Sequence, residues 1–270
     1  MITASIVTYH TKPNDLKRLL KCLLKSPISC VYIIDHSENE NLKEIVSDYE
    51  KIEYIHNDNR GYGAGHNIGI TKGLESGAIY HLVLNPDVYW TENVIEQLYR
   101  YMDKNPECGA IMPKILYPDG REQRLCKHLP TPLDLIVRRF IPVKSIKAYV
   151  NRKYEFPSSN DDRIMEIPVL SGCFMFFRCS TLLKTGLFDE RFFLYGEDVD
   201  LSRRVGKIAY MIFFPHVHIF HEYAKSSYSD NKMRNIHIMS MIKYFNKWGW
   251  YFDKDRRVNR KKFANNTKKY

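Results

Sequence analysis

Four short apolar runs in this 270-residue chain stop on residues that can bind a ligand or do chemistry. The first ends in Thr8-Tyr9 and the second in Asp35. The third ends in Asn57-Asp58-Asn59-Arg60-Gly61, and the fourth in Asn85-Pro86-Asp87. Any one of these is also an ordinary capping or turn residue; four together favour a site. Further along, Glu197-Asp198-Val199-Asp200 follows the strip Phe192-Phe193-Leu194-Tyr195-Gly196 and opens a segment containing Leu201 and Val205. Carboxylates are favoured in a first helical turn by the helix macrodipole. A carboxylate pair after an aromatic-glycine loop also suits a base that activates a hydroxyl. Spacing alone leaves both open. It puts Glu197 and Asp200 on one helix face and Asp198 on another.

The elements that carry these residues follow from periodicity. Thr3 to Tyr9, Cys30 to Asp35, Ile52 to His56 and Ile79 to Leu84 read as buried strands. Between the first two lies a helix, with Pro13 in its first turn and Leu16, Leu19, Leu20, Leu23 and Leu24 on one stripe. Lys43 to Tyr49 and Asn67 to Glu75 read as further helices. Short apolar strands alternating with helices imply an α/β fold with a mostly parallel central sheet and helices on both faces. Right-handed crossovers bring all the strand ends to one edge, where ligands bind in such sheets.

The glycine-rich stretch Gly61-Tyr62-Gly63-Ala64-Gly65-His66-Asn67 fits neither nucleotide loop of known spacing. Its third glycine falls one residue early for G-x-G-x-x-G, and it lacks the Gly-Lys-Ser/Thr ending of a P-loop. A turn here, followed by a helix N-terminus, suits close approach to a diphosphate.

The net charge of +10 is uneven. Eight Lys/Arg against Asp253 and Asp255 put +6 of it in the last eighteen residues. The rest is close to neutral, which argues against a nucleic-acid-binding face. Met233 to Phe252 is rich in large apolar groups with helical periodicity, and the basic tail follows it. That combination suits an anionic membrane surface, and the apolar helix equally suits plain packing against the rest of the fold. Six scattered cysteines without C-x-x-C spacing read as free thiols. No stretch is long and apolar enough to span a bilayer, so a cytoplasmic chain, peripheral on the inner face of the cell membrane, is expected.

The order Ser5-Ile6-Val7-Thr8-Tyr9, Ile34-Asp35, Asn59-Arg60-Gly61 with Gly65-His66-Asn67, Leu84-Asn85-Pro86-Asp87, Ser171-Gly172, and Phe188-Asp189-Glu190 to Glu197-Asp198-Val199-Asp200 resembles the GT-A glycosyltransferases of family 2. Within them it is most similar to the bacterial rhamnosyltransferase-type members. His221, in His221-Glu222-Tyr223-Ala224-Lys225-Ser226-Ser227, matches a late histidine-and-serine element of that group. The resemblance covers roughly residues 1 to 228. It implies a GT-A (Rossmann-like) catalytic domain over that span, with a nucleotide-sugar half over 1–120 and an acceptor half over 121–228. An amphipathic helix and basic tail then occupy 229–270.

The resemblance also implies a mechanism. A UDP- or dTDP-type sugar donor is bound by Thr8, Tyr9, Asp35, Asn59, Arg60, Gly61, Asn67, Asn85 and Asp87. Asp35 would accept the imide N–H of a pyrimidine base. The family's Asp-x-Asp element reads Asn85-Pro86-Asp87 here, so Asp87 with His221 would hold Mg²⁺ or Mn²⁺. Asp198 is the expected base, with Glu197 as alternate or acceptor-binding residue beside Ser171 and Gly172. Single displacement inverts the anomeric carbon. The acceptor is a saccharide or lipid-linked saccharide, and the setting is cell-surface polysaccharide synthesis.

Other classes compete with this. A sugar-1-phosphate nucleotidyltransferase shares the strand-helix pattern, but its glycine-rich segment belongs directly after the first strand, where Tyr9-His10-Thr11-Lys12-Pro13 has no glycine. A non-catalytic membrane adaptor explains the tail but not the carboxylates. Pro118-Asp119-Gly120 is a turn signal. Alternation puts His216 and His218 on one strand face and His221 on the other. The apolar and basic stretch within 121–165 covers a cleft or anchors a surface.

Overall fold

The computed structural model describes residues 1–141, 143–155, 163–222 and 231–267. Its strands are β1 (Ile2–Thr8), β2 (Cys30–Asp35), β3 (Ile52–His56), β4 (Tyr80–Leu84), β5 (Val88–Tyr89), β6 (Cys108–Leu116), β7 (Met165–Glu166), β8 (Phe174–Arg178) and β9 (Tyr210–His221). Its helices are α1 (Pro13–Leu23), α2 (Lys43–Val46), α3 (Tyr62–Glu75), α4 (Val94–Lys104), α5 (Pro132–Phe140), α6 (Lys144–Tyr154), α7 (Cys179–Thr185), α8 (Glu197–Val205), α9 (Asn231–Trp248) and α10 (Lys254–Thr267).

One sheet runs β3-β2-β1-β4-β8-β6-β9-β5, with β7 paired to β9. The β3-β2-β1-β4 half is parallel throughout, as is β6 with β9. Strands β8, β5 and β7 join antiparallel. All seven residues of β1 are buried, as a central strand covered on both faces must be. Pro13 opens α1, and Leu16, Leu19, Leu20 and Leu23 form its buried stripe.

Helix α3 starts at Tyr62, so the glycine-rich stretch is helix rather than turn. Its buried face is a row of glycines instead of an apolar stripe. A Cβ on Gly65 would lie 2.7 Å from Val7 Cγ2, on Gly69 2.6 Å from Ser5 Cβ, and on Gly73 2.5 Å from Thr3 Oγ1. The glycines bring the helix down onto β1 and β2; they do not line a phosphate loop. Gly61 has φ +104°, and a side chain there would meet the Phe193 carbonyl at 2.3 Å, so only glycine fits.

The C-terminal helices dock on the body. Phe192, Tyr244 and Phe245 make a small second core joining the loop before α8 to α9, each fully buried ring contributing about 1.5–3 kcal/mol. Arg203 on α8 donates to both oxygens of buried Asp253, at 2.7 and 2.5 Å. Trp248 Nε1 donates to Asp200 at 2.7 Å. No helix among the described residues is long and apolar enough to cross a membrane.

Candidate active site

A cavity of about 440 Å³ opens beside the C-terminal ends of β4 and β9. Chain geometry explains who lines it. β4 ends at Leu84, and two residues after Pro86 the chain pairs antiparallel with β9, Val88 opposite His221. That ladder sets Asp87 against His221: Oδ1 lies 3.5 Å from Nε2. The Asp87 Oδ1 atom is buried without a hydrogen-bond partner. Asn85 Nδ2 stands 3.4 Å from the same His221 nitrogen.

Gln123 orients the imidazole from behind. Its amide nitrogen donates to the His221 carbonyl at 2.7 Å, which leaves Oε1 to face Nδ1 at 3.1 Å. An Nδ1–H held this way turns Nε2 toward Asp87, the arrangement seen when a histidine binds a metal. Burial pushes the His221 imidazole down, but the Cys173 thiol and the Asp87 carboxylate beside it override that and raise it to about 10. A bound cation would compete with that proton. Among the described residues, no group of three or more His, Cys, Asp and Glu side chains converges as a protein-only cage. Asp87 and His221 therefore fit a cation whose remaining ligands are phosphates and water.

The opposite wall is the start of α8. Tyr195 has φ +70° and Gly196 φ +87°. Two consecutive left-handed residues turn the chain abruptly, and strain of this kind is characteristic of functional loops. Because the cavity wraps the helix N-terminus, Glu197 and Asp198 both reach it. Asp200 does not: it turns to Trp248, Lys247 and Arg204 and is structural.

Asp198 Oδ1 accepts from Val199 N at 2.8 Å and Oδ2 from Gly172 N at 3.2 Å. Glu197 Oε2 has no partner. Burial raises both carboxyls, Glu197 to about 8 with the Asp198 charge adding to it. Two adjacent buried carboxyls cannot both ionise at neutral pH. Backbone N–H groups lower both carboxyls, but Asp198 also has the Lys127 charge beside it, which favours charge on Asp198 and the proton on Glu197, a division suited to a base.

Helix α3 holds this loop. Tyr62 N donates to the Phe193 carbonyl at 2.8 Å, and its hydroxyl donates to the Gly172 carbonyl. Asn67 donates to the Phe188 carbonyl and accepts from Phe188 N, both at 2.9 Å.

Of the expected site residues, Asn85, Asp87, Ser171, Gly172, Glu197, Asp198 and His221 line this one cavity. Arg60 and Asn67 line a second, of about 380 Å³, with His36, Asn57 and Asp58. Arg60 pairs there with Glu190 at 3.1 Å. Thr8, Tyr9, Asp35, Asn59 and Gly61 line neither. Asp35 is fully buried. Its oxygens accept from Thr8 Oγ1 at 2.9 Å, Ser37 Oγ at 2.7 Å and Tyr54 OH at 2.8 Å. Asn59 Oδ1 accepts from Gly61 N at 3.2 Å, forming the entry turn of α3. Ser226 and Ser227 lie outside the described residues. Gln123, Cys173 and Lys127 line the main cavity without having been anticipated; so do Tyr62, from the glycine-rich stretch, and Arg138, from the stretch expected to cover a cleft or anchor a surface, neither of which had been expected as a site residue.

Residues 4–185 match the family model Glycosyl transferase family 2. The N-acetylglucosaminyl-diphospho-decaprenol L-rhamnosyltransferase of Mycobacterium tuberculosis is 30% identical over 244 residues, 83% of this chain and 76% of that protein. Rhamnosyltransferase WbbL of Escherichia coli K12 is 24% identical, over 88% of this chain and 90% of that protein. Among solved structures, GalNAc-T7 with UDP, GalNAc and Mn²⁺ superposes with a TM-score of 0.62 at 16% identity, over 83% of this chain and 43% of that one. With a GT-A fold, a matching family model over most of its length and rhamnosyltransferase relatives along nearly all of it, the chain belongs to glycosyl transferase family 2 and is an inverting nucleotide-sugar glycosyltransferase of polysaccharide synthesis.

Proposed function

We propose that the chain transfers a deoxyhexose of the rhamnose type from a dTDP- or UDP-linked donor to a hydroxyl of a lipid-linked saccharide, with Asp198 as the base. The observation that carries this is the meeting of two chemistries in one cavity: the Asp87–His221 pair and the Glu197–Asp198 pair. The donor diphosphate belongs beside Asp87 and His221, which would hold Mg²⁺ or Mn²⁺; the ion, when bound, neutralises the leaving diphosphate. Asp198 takes the proton of the acceptor hydroxyl as the new bond forms on the face opposite the leaving group. Glu197, protonated at neutral pH, hydrogen-bonds the acceptor without competing for that proton. Ser171 and Gly172 line the acceptor side. On the nucleotide side, Asp35 braces Thr8 and Tyr54; for its carboxylate to meet a base N–H, the Tyr54 hydroxyl must give way. The relatives support sugar and acceptor, since one is named for L-rhamnosyl transfer to a diphospho-decaprenol saccharide.

Peripheral attachment to an anionic membrane belongs to the same proposal, in revised form. Arg256 is buried against the Pro130 and Trp250 carbonyls, Arg260 binds Leu129 and Asp134, and Lys262 binds Glu166. These cations hold α10 in place. Lys254, Arg257 and Lys261 stay exposed, and Tyr251 and Phe252, 81% and 99% exposed at the joint between α9 and α10, supply the apolar component.

The test is transfer from dTDP-L-rhamnose to a short-chain N-acetylglucosaminyl diphospholipid, with Mn²⁺, Mg²⁺ or chelator, in wild type and Asp87→Ala. Metal-dependent transfer in wild type alone is expected. Metal-independent or undiminished transfer in Asp87→Ala removes Asp87 from the mechanism. Pyrophosphate release from dTTP and a sugar 1-phosphate would instead mark a nucleotidyltransferase.

A further inference from the structure

Two cations in the main cavity have no role in the chemistry just described. Lys127 lines it from the extended segment that bridges to Glu155. Among the described residues its ammonium has no hydrogen-bond or ion-pair partner. Arg138 reaches the cavity from α5, stacked over the Tyr154 ring at 4.7 Å. One side of its guanidinium meets Glu155 at 3.1 Å, while Nη1 is buried with no partner among the described residues. Burial pushes the Lys127 ammonium down, and the Arg138 charge adds to that; Glu155 and Asp198 oppose it. Glu155 and Asp198 balance the two charges at a distance, but among the described residues neither takes the Lys127 ammonium or Arg138 Nη1 in a hydrogen bond or ion pair, which leaves both donors open to an anionic ligand.

The platform is rigid. Thr131 and Asp134 form a capping box at the start of α5, and Arg260 ties Asp134 and the Leu129 carbonyl to α10. These contacts fix the α5 backbone that carries Arg138.

We propose that Lys127 and Arg138 form an anion subsite that takes the diphosphate of a lipid-linked acceptor. A point-charge ammonium beside a planar fork suits adjacent phosphates. The donor's own diphosphate is provided for elsewhere, beside Asp87 and His221. This rests on the glycosyltransferase function with a lipid-linked acceptor proposed above.

Calorimetry tests it without requiring turnover. Geranyl diphosphate is titrated into the full chain saturated with dTDP, which blocks the donor site. Wild type should bind, and Lys127→Ala should weaken binding about tenfold or more, as loss of a charge-assisted contact does. Arg138→Ala should do the same, and Arg138→Lys should restore part of it. Lys127→Ala is the cleaner variant because, among the described residues, it breaks no hydrogen bond or ion pair. Geraniol, which lacks the charge, should not bind, and inorganic pyrophosphate should bind more weakly than the lipid form. Absence of binding by wild type, equal affinity in Lys127→Ala, one-for-one displacement by dTDP, or tighter binding of inorganic pyrophosphate overturns the subsite. Failure of sugar transfer with this binding intact would count against the proposed reaction and leave the subsite standing.

Discussion

Beneath α3, Thr3, Ser5, His66 and His81 form a buried chain. Thr3 Oγ1 meets His81 Nδ1 at 2.8 Å, His81 Nε2 meets Ser5 Oγ at 2.9 Å, and Ser5 Oγ meets His66 Nδ1 at 2.7 Å. Burial pushes both histidines down, His81 to about 3, so both are neutral and the cluster carries no charge. Across the molecule, the main cavity holds Glu197, Asp198, Lys127, Arg138 and Asp87, several with atoms left unpartnered. The first region pairs its polar groups with one another, save His66 Nε2, which has no partner among the described residues, and stabilises the helix-on-sheet contact. The second leaves them reaching into open space, which lowers stability and leaves them free for a ligand. Polar burial alone does not mark a site; unsatisfied polar burial around a cavity does.

The contrast can be broken most sharply at Glu197. A carboxyl near 8 in the folded chain and near 4.5 in the unfolded one is protonated in both states below pH 4.5 and costs nothing there. As pH rises from 4.5 to 8 the unfolded state ionises first, so folding loses stability through that window and no further above it. Glu197→Gln removes the loss. Its unfolding free energy, measured by denaturant titration without donor or metal, should exceed that of wild type by a margin growing between pH 5 and 8, by about a few kcal/mol at most. A constant difference across that range would mean Glu197 is not held protonated.

Gly69→Ala probes the opposite region and should have a smaller effect. The new methyl would stand 2.6 Å from Ser5 Cβ and 3.3 Å from Tyr32 Cβ, atoms too close to the backbone to yield. Overpacking costs about 1–3 kcal/mol, offset by the gain of about 1 kcal/mol from replacing helical glycine. Net destabilisation by denaturant titration is expected, with turnover per folded molecule unchanged. A neutral or stabilising result would show that α3 has room to move.

Much of the parallel half was legible from sequence because a strand buried on both faces is an unbroken apolar run. Cys30–Asp35 carries such a run over its observed length, whereas the edge strand Ile52–His56 is only partly buried and is interrupted by Glu53. The start of α3 was not, since a helix whose buried face is Gly65, Gly69 and Gly73 has no apolar stripe to find. Asp87 and His221 share the cavity because β5 pairs with β9, and the histidine separated from His216 and His218 by strand alternation is indeed the one turned inward. Gln123, Lys127 and Arg138 come from irregular segments and α5; only the tertiary path brings them to the cavity. Charge counting likewise read the whole basic tail as a partner for an anionic surface, whereas Arg256 and Arg260 are used by backbone carbonyls that no sequence pattern announces.

The central claim is that the Asp198 carboxylate serves the reaction and not the fold. Asp198→Asn, assayed for kcat, donor Kd and Tm in one preparation, tests it most directly. The expected result is a Tm equal to or above wild type, an unchanged donor Kd, and a kcat lower by roughly 10²–10⁴, the usual consequence of losing a general base. A wild-type kcat, or a fall in Tm large enough to account for the lost activity, would contradict it.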